Sequence, residues 1–224
     1  VDGVHDMGGM HGFGAVVVPG GSEPYHERWE PRVFAIHLLI STERIGAGPG
    51  GRPTREEMEP AHYLAASYYE RWLWSAERRL ERAGSIAPGE VEAMAARLEA
   101  GEAPPARTDP ALVERSLPMF KRGEPLPAPA STRFSPGEGV RVRRMRPAGH
   151  TRCPRYVRGA TGVVERVQGA DELPDLAVYG RETEREPVYA VSFRSEDLFG
   201  RGDEPPWTVL LDLWESYLEP AAPV

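Results

Sequence analysis

The sequence predicts an α+β chain in three parts: an extended N-terminal arm, a helical N-terminal region, and a small β-barrel or roll at the C-terminal end. Three observations predict it. Five glycines fall within the first fourteen positions, among Val4, Met7, Met10 and Phe13, which is too little volume for a core. From about Trp29 to Ser116, apolar residues recur at helical spacing between cap and breaker residues. Beyond Pro136 the period falls to two, in short runs split by Gly and Pro.

The arm comes first. Glycine makes backbone costly to order, so the arm is expected to be ordered by something outside itself, such as another subunit. After the Pro19-Gly20-Gly21 turn, a helical pattern runs from about Pro24 to Ile40, with Trp29, Val33, Phe34, Ile36, His37 and Ile40 on its face. Pro31 fits only a first turn, so regular helix is expected from near Glu30. Residues Gly46 to Pro53 read as a loop. Thr54 and Glu57 have capping-box spacing, and Pro60 favours a helix start. Ser67 and Glu70 repeat that spacing ahead of a helix predicted from Tyr68 to Arg82 and closed by Gly84. Another is predicted from Pro88 to Ala100, then a short one from Pro110 to Ser116.

Gly123 to Gly137 is proline-rich and reads as a linker. The expected domains are therefore 1–122 for arm and helices, 123–137 for the linker, and 138–224 for the barrel. In the last part, Val140 and Val142 alternate with Arg141 and Arg143. Val163, Val164 and Val167 follow a Gly159–Gly162 turn. Tyr189, Val191 and Phe193 share one strand face, and Val209, Leu211 and Leu213 share another.

Composition narrows the function. The 224 residues are 40% hydrophobic, with 24 glycines and 23 prolines, so turns and extended connections are expected to abound. No apolar run is long enough for a membrane span, and no secretory signal is visible, so a cytoplasmic setting is expected. Cys153 is the single cysteine, which excludes an internal disulfide and a cysteine-built metal cage. The histidines lack metal-ligand spacing, so no metal is expected on this chain alone. Gly12-Phe13-Gly14 lacks both a preceding strand and a third glycine, since position 17 is Val17, which argues against a phosphate loop.

Net charge is −7, yet Arg133 to Arg166 is arginine-rich. An RNA-binding barrel would want exposed aromatics among those arginines, and only Tyr156 is interleaved in the stretch from Gly149 to Arg158. The remaining readings are a solvated strand face, or one or two arginines that point into a subunit interface and hold an anion. Arginine suits the latter role because its charge is permanent and its donors form a rigid fork. Tyr68 and Trp72 lie four apart on one helix face, with Tyr69 beside them, which fits either core packing or an aromatic pocket.

The ordered series is more specific than any part. The arm Asp2-Gly-Val-His-Asp-Met-Gly-Gly-Met-His-Gly-Phe-Gly14 precedes Trp29-Glu30, then Met58-Glu-Pro-Ala-His-Tyr-Leu64, Tyr68-Tyr69 and Trp72. Gly149-His150, Arg152, Arg155-Tyr-Val-Arg-Gly159, Thr161-Gly162 and Asp212-Leu-Trp-Glu-Ser-Tyr-Leu218 follow. In this order the chain resembles the beta subunit of nitrile hydratase over nearly its whole length.

The resemblance implies an SH3-like β-barrel and an enzyme that hydrates R–C≡N to R–CO–NH2 only together with an alpha subunit, as αβ or α2β2. It places the metal, Co(III) more than Fe(III) because of Trp72, in the alpha subunit, on cysteines partly oxidised to sulfinate and sulfenate. The beta chain would bind no cofactor, nucleic acid or membrane. It would supply Arg52 and Arg152 as donors to the oxidised cysteines, with Arg55 and Arg44 as alternatives to Arg52. Tyr68, Tyr69, Trp72, His37, Gly48 and Gly51 would line the pocket for a small nitrile. His37, Arg71 and the run Gly48-Pro-Gly-Gly51 depart from the family pattern, which alters pocket shape and substrate range. Rival readings are a thiocyanate hydrolase-like subunit, a metallochaperone-like activator, and a non-catalytic accessory or RNA-binding SH3-like protein.

Overall fold

The computed structural model describes residues 2–15, 24–43, 45–104, 108–120, 125–202 and 205–221. The Pro19-Gly20-Gly21 turn and Arg44 lie outside them. The chain divides into two compact units, Val17–Gly123 and Val1–Val16 with Glu124–Val224.

The first unit is helical. Helix α1, Glu30–Thr42, starts where Pro31 can occupy the first turn without losing a hydrogen bond. The buried Glu30 carboxylate accepts the His26 backbone N–H at 2.6 Å. Helix α2 spans Gly51–Arg55, so the expected loop stops at Gly50 and Gly51, Arg52 and Pro53 are helical. Thr54 Oγ1 donates to the Pro49 and Gly50 carbonyls, and Ser75 Oγ donates to the Gly51 carbonyl at 3.0 Å. Those bonds bind a turn that Gly and Pro alone would leave open.

Helix α3 is Pro60–Ala65, capped by the Glu59 side chain. Helix α4 is Tyr68–Arg82, with the full Ser67/Glu70 capping box. It buries Ser75, Ala76 and Arg79 and packs against α1 and α2, on a surface that includes Val33, Ile40 and Thr54. Helices α5, Glu90–Glu99, and α6, Pro110–Ser116, complete the unit. No side chain of α5 is buried.

The second unit is an antiparallel sheet of five strands: β1 Gly139–Val142, β2 Thr161–Glu172, β3 Arg185–Arg194, β4 Thr208–Trp214 and β5 Leu218–Pro220. Their order is β4-β3-β2-β1-β5. The two edge strands are consecutive in the chain, joined through one 3-10 turn at Glu215–Tyr217, so the sheet must roll to bring its edges near. Register shifts in the β2–β3 ladder at Val164/Arg166 and Val167/Gly169 add local twist and bend. Among the described residues no ladder joins β4 to β5, so of the expected barrel or roll the sheet is an open roll. The three residues of β5 pair with β1.

The core of this unit is Phe134, Val140, Val142, Cys153, Val157, Val164, Tyr189, Val191, Phe193, Leu213, Tyr217 and Leu218. Phe134 comes from the stretch expected to be a linker. That stretch is docked, not free: the Ala170 N–H donates to the Pro127 carbonyl at 2.8 Å and the Gly137 N–H to the Val164 carbonyl at 2.7 Å. Extended proline-rich backbone leaves its carbonyls available to a neighbouring strand.

The arm, grouped with the helices on sequence, packs in the unit with the sheet. It is expected to be ordered by something outside itself, and residues of the sheet unit contribute to that. The Asp6 carboxylate accepts the Arg155 backbone N–H at 2.8 Å. Asp2 and Asp6 both pair with Arg158. Gly8 lies so close to the Tyr156 ring that a Cβ there would overlap it, which explains glycine at this position. Met10 and Phe13 remain exposed. Among the described residues no helix is long and apolar enough to cross a membrane.

Candidate functional site

In the helical unit Trp72 is the hub of an aromatic cluster. Its ring centroid lies 4.6 Å from His37, 5.7 Å from Tyr68, 6.0 Å from Tyr69 and 6.0 Å from Phe34. The spacing that brings them together is helical on both sides: Phe34 and His37 on α1, Tyr68, Tyr69 and Trp72 on α4. Tyr25 adds a ring 5.5 Å from Tyr69. The Arg55 guanidinium lies 4.7 Å over the Trp72 ring, a cation–π contact. Gly51 sits against His37, whose ring occupies the space a Cβ would need.

One face of this cluster is open, since Tyr68 is 61% exposed, while His37 is buried. Burial first, then the positive charges of Arg55 and Arg79, push the His37 imidazole down to about 4. It is therefore neutral at pH 7. Burial, with Arg52 next, also lowers the Arg55 pKa. His37 Nδ1 and Arg55 Nη1 are buried without a hydrogen-bond partner among the described residues. The cluster thus offers stacking surface and polar donors together.

Of the residues predicted for the pocket, the structure brings together His37, Gly51, Tyr68, Tyr69 and Trp72. Gly48, at φ +82°, faces the Arg82 side chain. Arg52 is exposed on α2. Phe34, Tyr25 and Arg79 are additions. Phe34 was within reach of the sequence, three positions before His37 on one helix face; Arg79 was not, because its burial depends on α1.

Arg152 belongs to the other unit, in the loop between β1 and β2, and is exposed. Its backbone N–H donates to the Tyr217 hydroxyl at 3.3 Å, and that hydroxyl donates to Asp175 at 2.5 Å. Burial and the Asp175 carboxylate raise the Tyr217 pKa, so the phenol keeps its proton. The Cys153 N–H donates to Thr151 Oγ1 at 3.2 Å. Arg158 donates to the Cys153 carbonyl through Nε at 3.1 Å and Nη2 at 2.9 Å.

Cys153 is fully buried and burial pushes its thiol up to about 11, so it stays protonated and poorly suited to bind metal. Among the described residues no group of three or more His, Cys, Asp or Glu is placed to hold a metal ion.

Comparison with known proteins assigns the family. Residues 1–116 match the family described as nitrile hydratase beta subunit, N-terminal, and residues 124–220 match nitrile hydratase beta subunit, C-terminal. The chain is 34% identical to the nitrile hydratase subunit beta of Pseudomonas putida, over 99% of this chain and 100% of that protein. It is 34% identical to the Rhodococcus erythropolis subunit beta, with 99% and 100% coverage. Against the cobalt-containing nitrile hydratase subunit beta of Pseudonocardia thermophila it is 32% identical, with 98% and 96% coverage. A solved thiocyanate hydrolase chain from Thiobacillus thioparus covers 52% of this chain and is itself fully covered, at a TM-score of 0.42 and 24% identity, too distant to assign a fold. Matched along nearly its whole length, the chain belongs to the nitrile hydratase beta-subunit family.

Proposed function

We propose that this chain is the half of a nitrile hydratase that carries no metal, and that it completes a reaction centre held by an alpha subunit in an αβ or α2β2 complex. Membership of the family supports this. So do the names of two relatives, both cobalt-containing nitrile hydratase subunits beta, which favour Co(III) over Fe(III) in the partner. The observation that carries the reading furthest is an exposed arginine, Arg152, whose backbone is fixed by a buried tyrosine.

When bound in the partner, the metal supplies Lewis acidity toward the nitrile or toward water. The residues of this chain do the rest. Arg152 and Arg52 donate charge-assisted hydrogen bonds to sulfinate and sulfenate oxygens on the partner's cysteines. Such oxygens are costly to bury unless paired, and guanidinium matches their geometry. Tyr68, Tyr69 and Trp72 form the apolar wall along which a small nitrile is oriented, and neutral His37 with Arg55 sets its polar side. Gly51 leaves room for the His37 ring, and Gly48 for the Arg82 side chain.

The test is substitution. Arg152→Lys and Arg52→Lys, each assembled with the alpha subunit, should keep the complex intact and lower nitrile turnover by about 10–100-fold. Thiocyanate should not be hydrolysed. Unchanged turnover in both variants would remove the proposed role.

A further inference from the structure

We infer that Arg158 is a positioning residue for Arg152, and that Asp2 and Asp6 of the N-terminal arm hold it in place. The inference rests on the reading of Arg152 given above. The Arg158 side chain is only 6% exposed. Its guanidinium makes two bonds to the Cys153 carbonyl, at 2.9 and 3.1 Å, and one to the Met145 carbonyl at 3.3 Å. The remaining charge faces the Asp2 carboxylate and, at 3.7 Å, that of Asp6. One side chain thereby ties both limbs of the loop that carries Arg152.

The arm grips the same loop a second time. Asp6 Oδ2 accepts the Arg155 N–H at 2.8 Å, and the Asp6 carbonyl accepts from Arg155 Nη2 at 3.4 Å. Tyr217 holds the Arg152 N–H from the core side. The peptides on either side of the Arg152–Cys153 pair are thus both held, the one before it by the Tyr217 hydroxyl at the Arg152 N–H and the one after it by Arg158 at the Cys153 carbonyl.

Charge explains why carboxylates do this work. Arg144, Arg146, Arg155 and Arg158 line one cavity of about 410 Å3 with Asp2. Four guanidinium groups repel each other, and a buried one without an anion is strongly disfavoured. Asp2 and Asp6 offset that repulsion. Without them Arg158 would turn toward water and release the Cys153 carbonyl. The glycines of the arm let the backbone come near enough: Gly8 lies on Tyr156 and Gly9 on Phe199.

The experiment uses the assembled alpha–beta enzyme with Asp6→Asn, which keeps size and removes charge, and Arg158→Lys as a second variant. Amide hydrogen exchange of Cys153 to Arg158 should accelerate about tenfold while the complex stays assembled, because only a local opening is released. Turnover should fall by about tenfold with KM for the nitrile within about twofold of the parent, since no substrate contact is lost. In an Arg152→Lys background, Asp6→Asn should add little, the non-additivity expected when one residue acts through another.

Unchanged exchange in Asp6→Asn would overturn the latch. Faster exchange with full turnover, in an enzyme that Arg152→Lys does impair, would overturn the positioning role. Additive losses, or dissociation of the complex, would also overturn it, by making the arm an independent interface element. If Arg152→Lys alone leaves turnover intact, the fault lies in the Arg152 reading, and that variant identifies it.

Discussion

His37 of α1 lies against Trp72 of α4, ring centroids 4.6 Å apart and planes at 56°. The pair joins two helices within the aromatic cluster proposed to orient the nitrile, and it buries an ionisable ring beside two arginines. This has a pH consequence. The folded-state pKa is about 4 against an ordinary 6.5, so between those values the unfolded chain binds a proton that the folded chain does not. Stability therefore rises with pH across this window: it is undiminished above pH 6.5 and falls as pH drops toward 4, by roughly 3 kcal/mol at most. Thermal melts from pH 7 to pH 4 should show His37→Phe losing less stability than the parent. Parallel curves for the two proteins would contradict the assignment.

Gly51→Ala drives a methyl group into the His37 ring. Overpacking of this kind costs about 1–3 kcal/mol, read as a lower denaturation midpoint. His37→Ala in the same chain opens the space, so the double variant should recover much of the loss. A Gly51→Ala protein as stable as the parent would show that the ring moves aside freely.

Local rules account for what the sequence reveals and non-local bonds for what it hides. Helix α4 is legible to its end residues because Ser67 and Glu70 cap it from within three positions, and α6 because Asp109 and Pro110 do the same. Strands β1, β3 and β4 follow from period-two spacing, with Val140 and Val142, or Tyr189, Val191 and Phe193, among the buried residues. Helix α2 is hidden because Ser75, 24 positions away, supplies one of its bonds. Strand β5 is three residues after a 3-10 turn, too short to alternate. The docking of the arm depends on Arg155 and Arg158, about 150 positions distant, and no periodicity reports such a pairing. In the aromatic cluster, the spacing on α4 is visible, whereas the depth of His37 and Arg79 appears only once α1 and α4 pack.

Ser67→Ala removes one half of the α4 capping box, leaving the Glu70 N–H without its side-chain acceptor. The loss should be about 1 kcal/mol, visible in chemical denaturation. Because Tyr68 and Tyr69 occupy the first turn, KM for a nitrile should rise more than kcat falls. An unaltered midpoint would mean the tertiary packing of α4 makes the cap redundant.

Tyr217→Phe deletes a buried hydroxyl that bonds both Asp175 and the Arg152 N–H. The half-buried Asp175 carboxylate and the Arg152 N–H each lose a partner, at about 1–3 kcal/mol each at most, so urea unfolding of the variant should show a drop in midpoint. The loop amides at Arg152 and Cys153 should exchange faster than in the parent. Full retention of both properties would contradict the bonding described for this hydroxyl.

Arg52 and Arg152 are proposed to meet oxidised sulfur on a companion subunit. A crystal structure of the assembled alpha–beta enzyme tests it most directly. Guanidinium nitrogens of both arginines should lie at about 2.7–2.9 Å from sulfinate or sulfenate oxygens. Both side chains directed into solvent, or paired only with carboxylates, would contradict it.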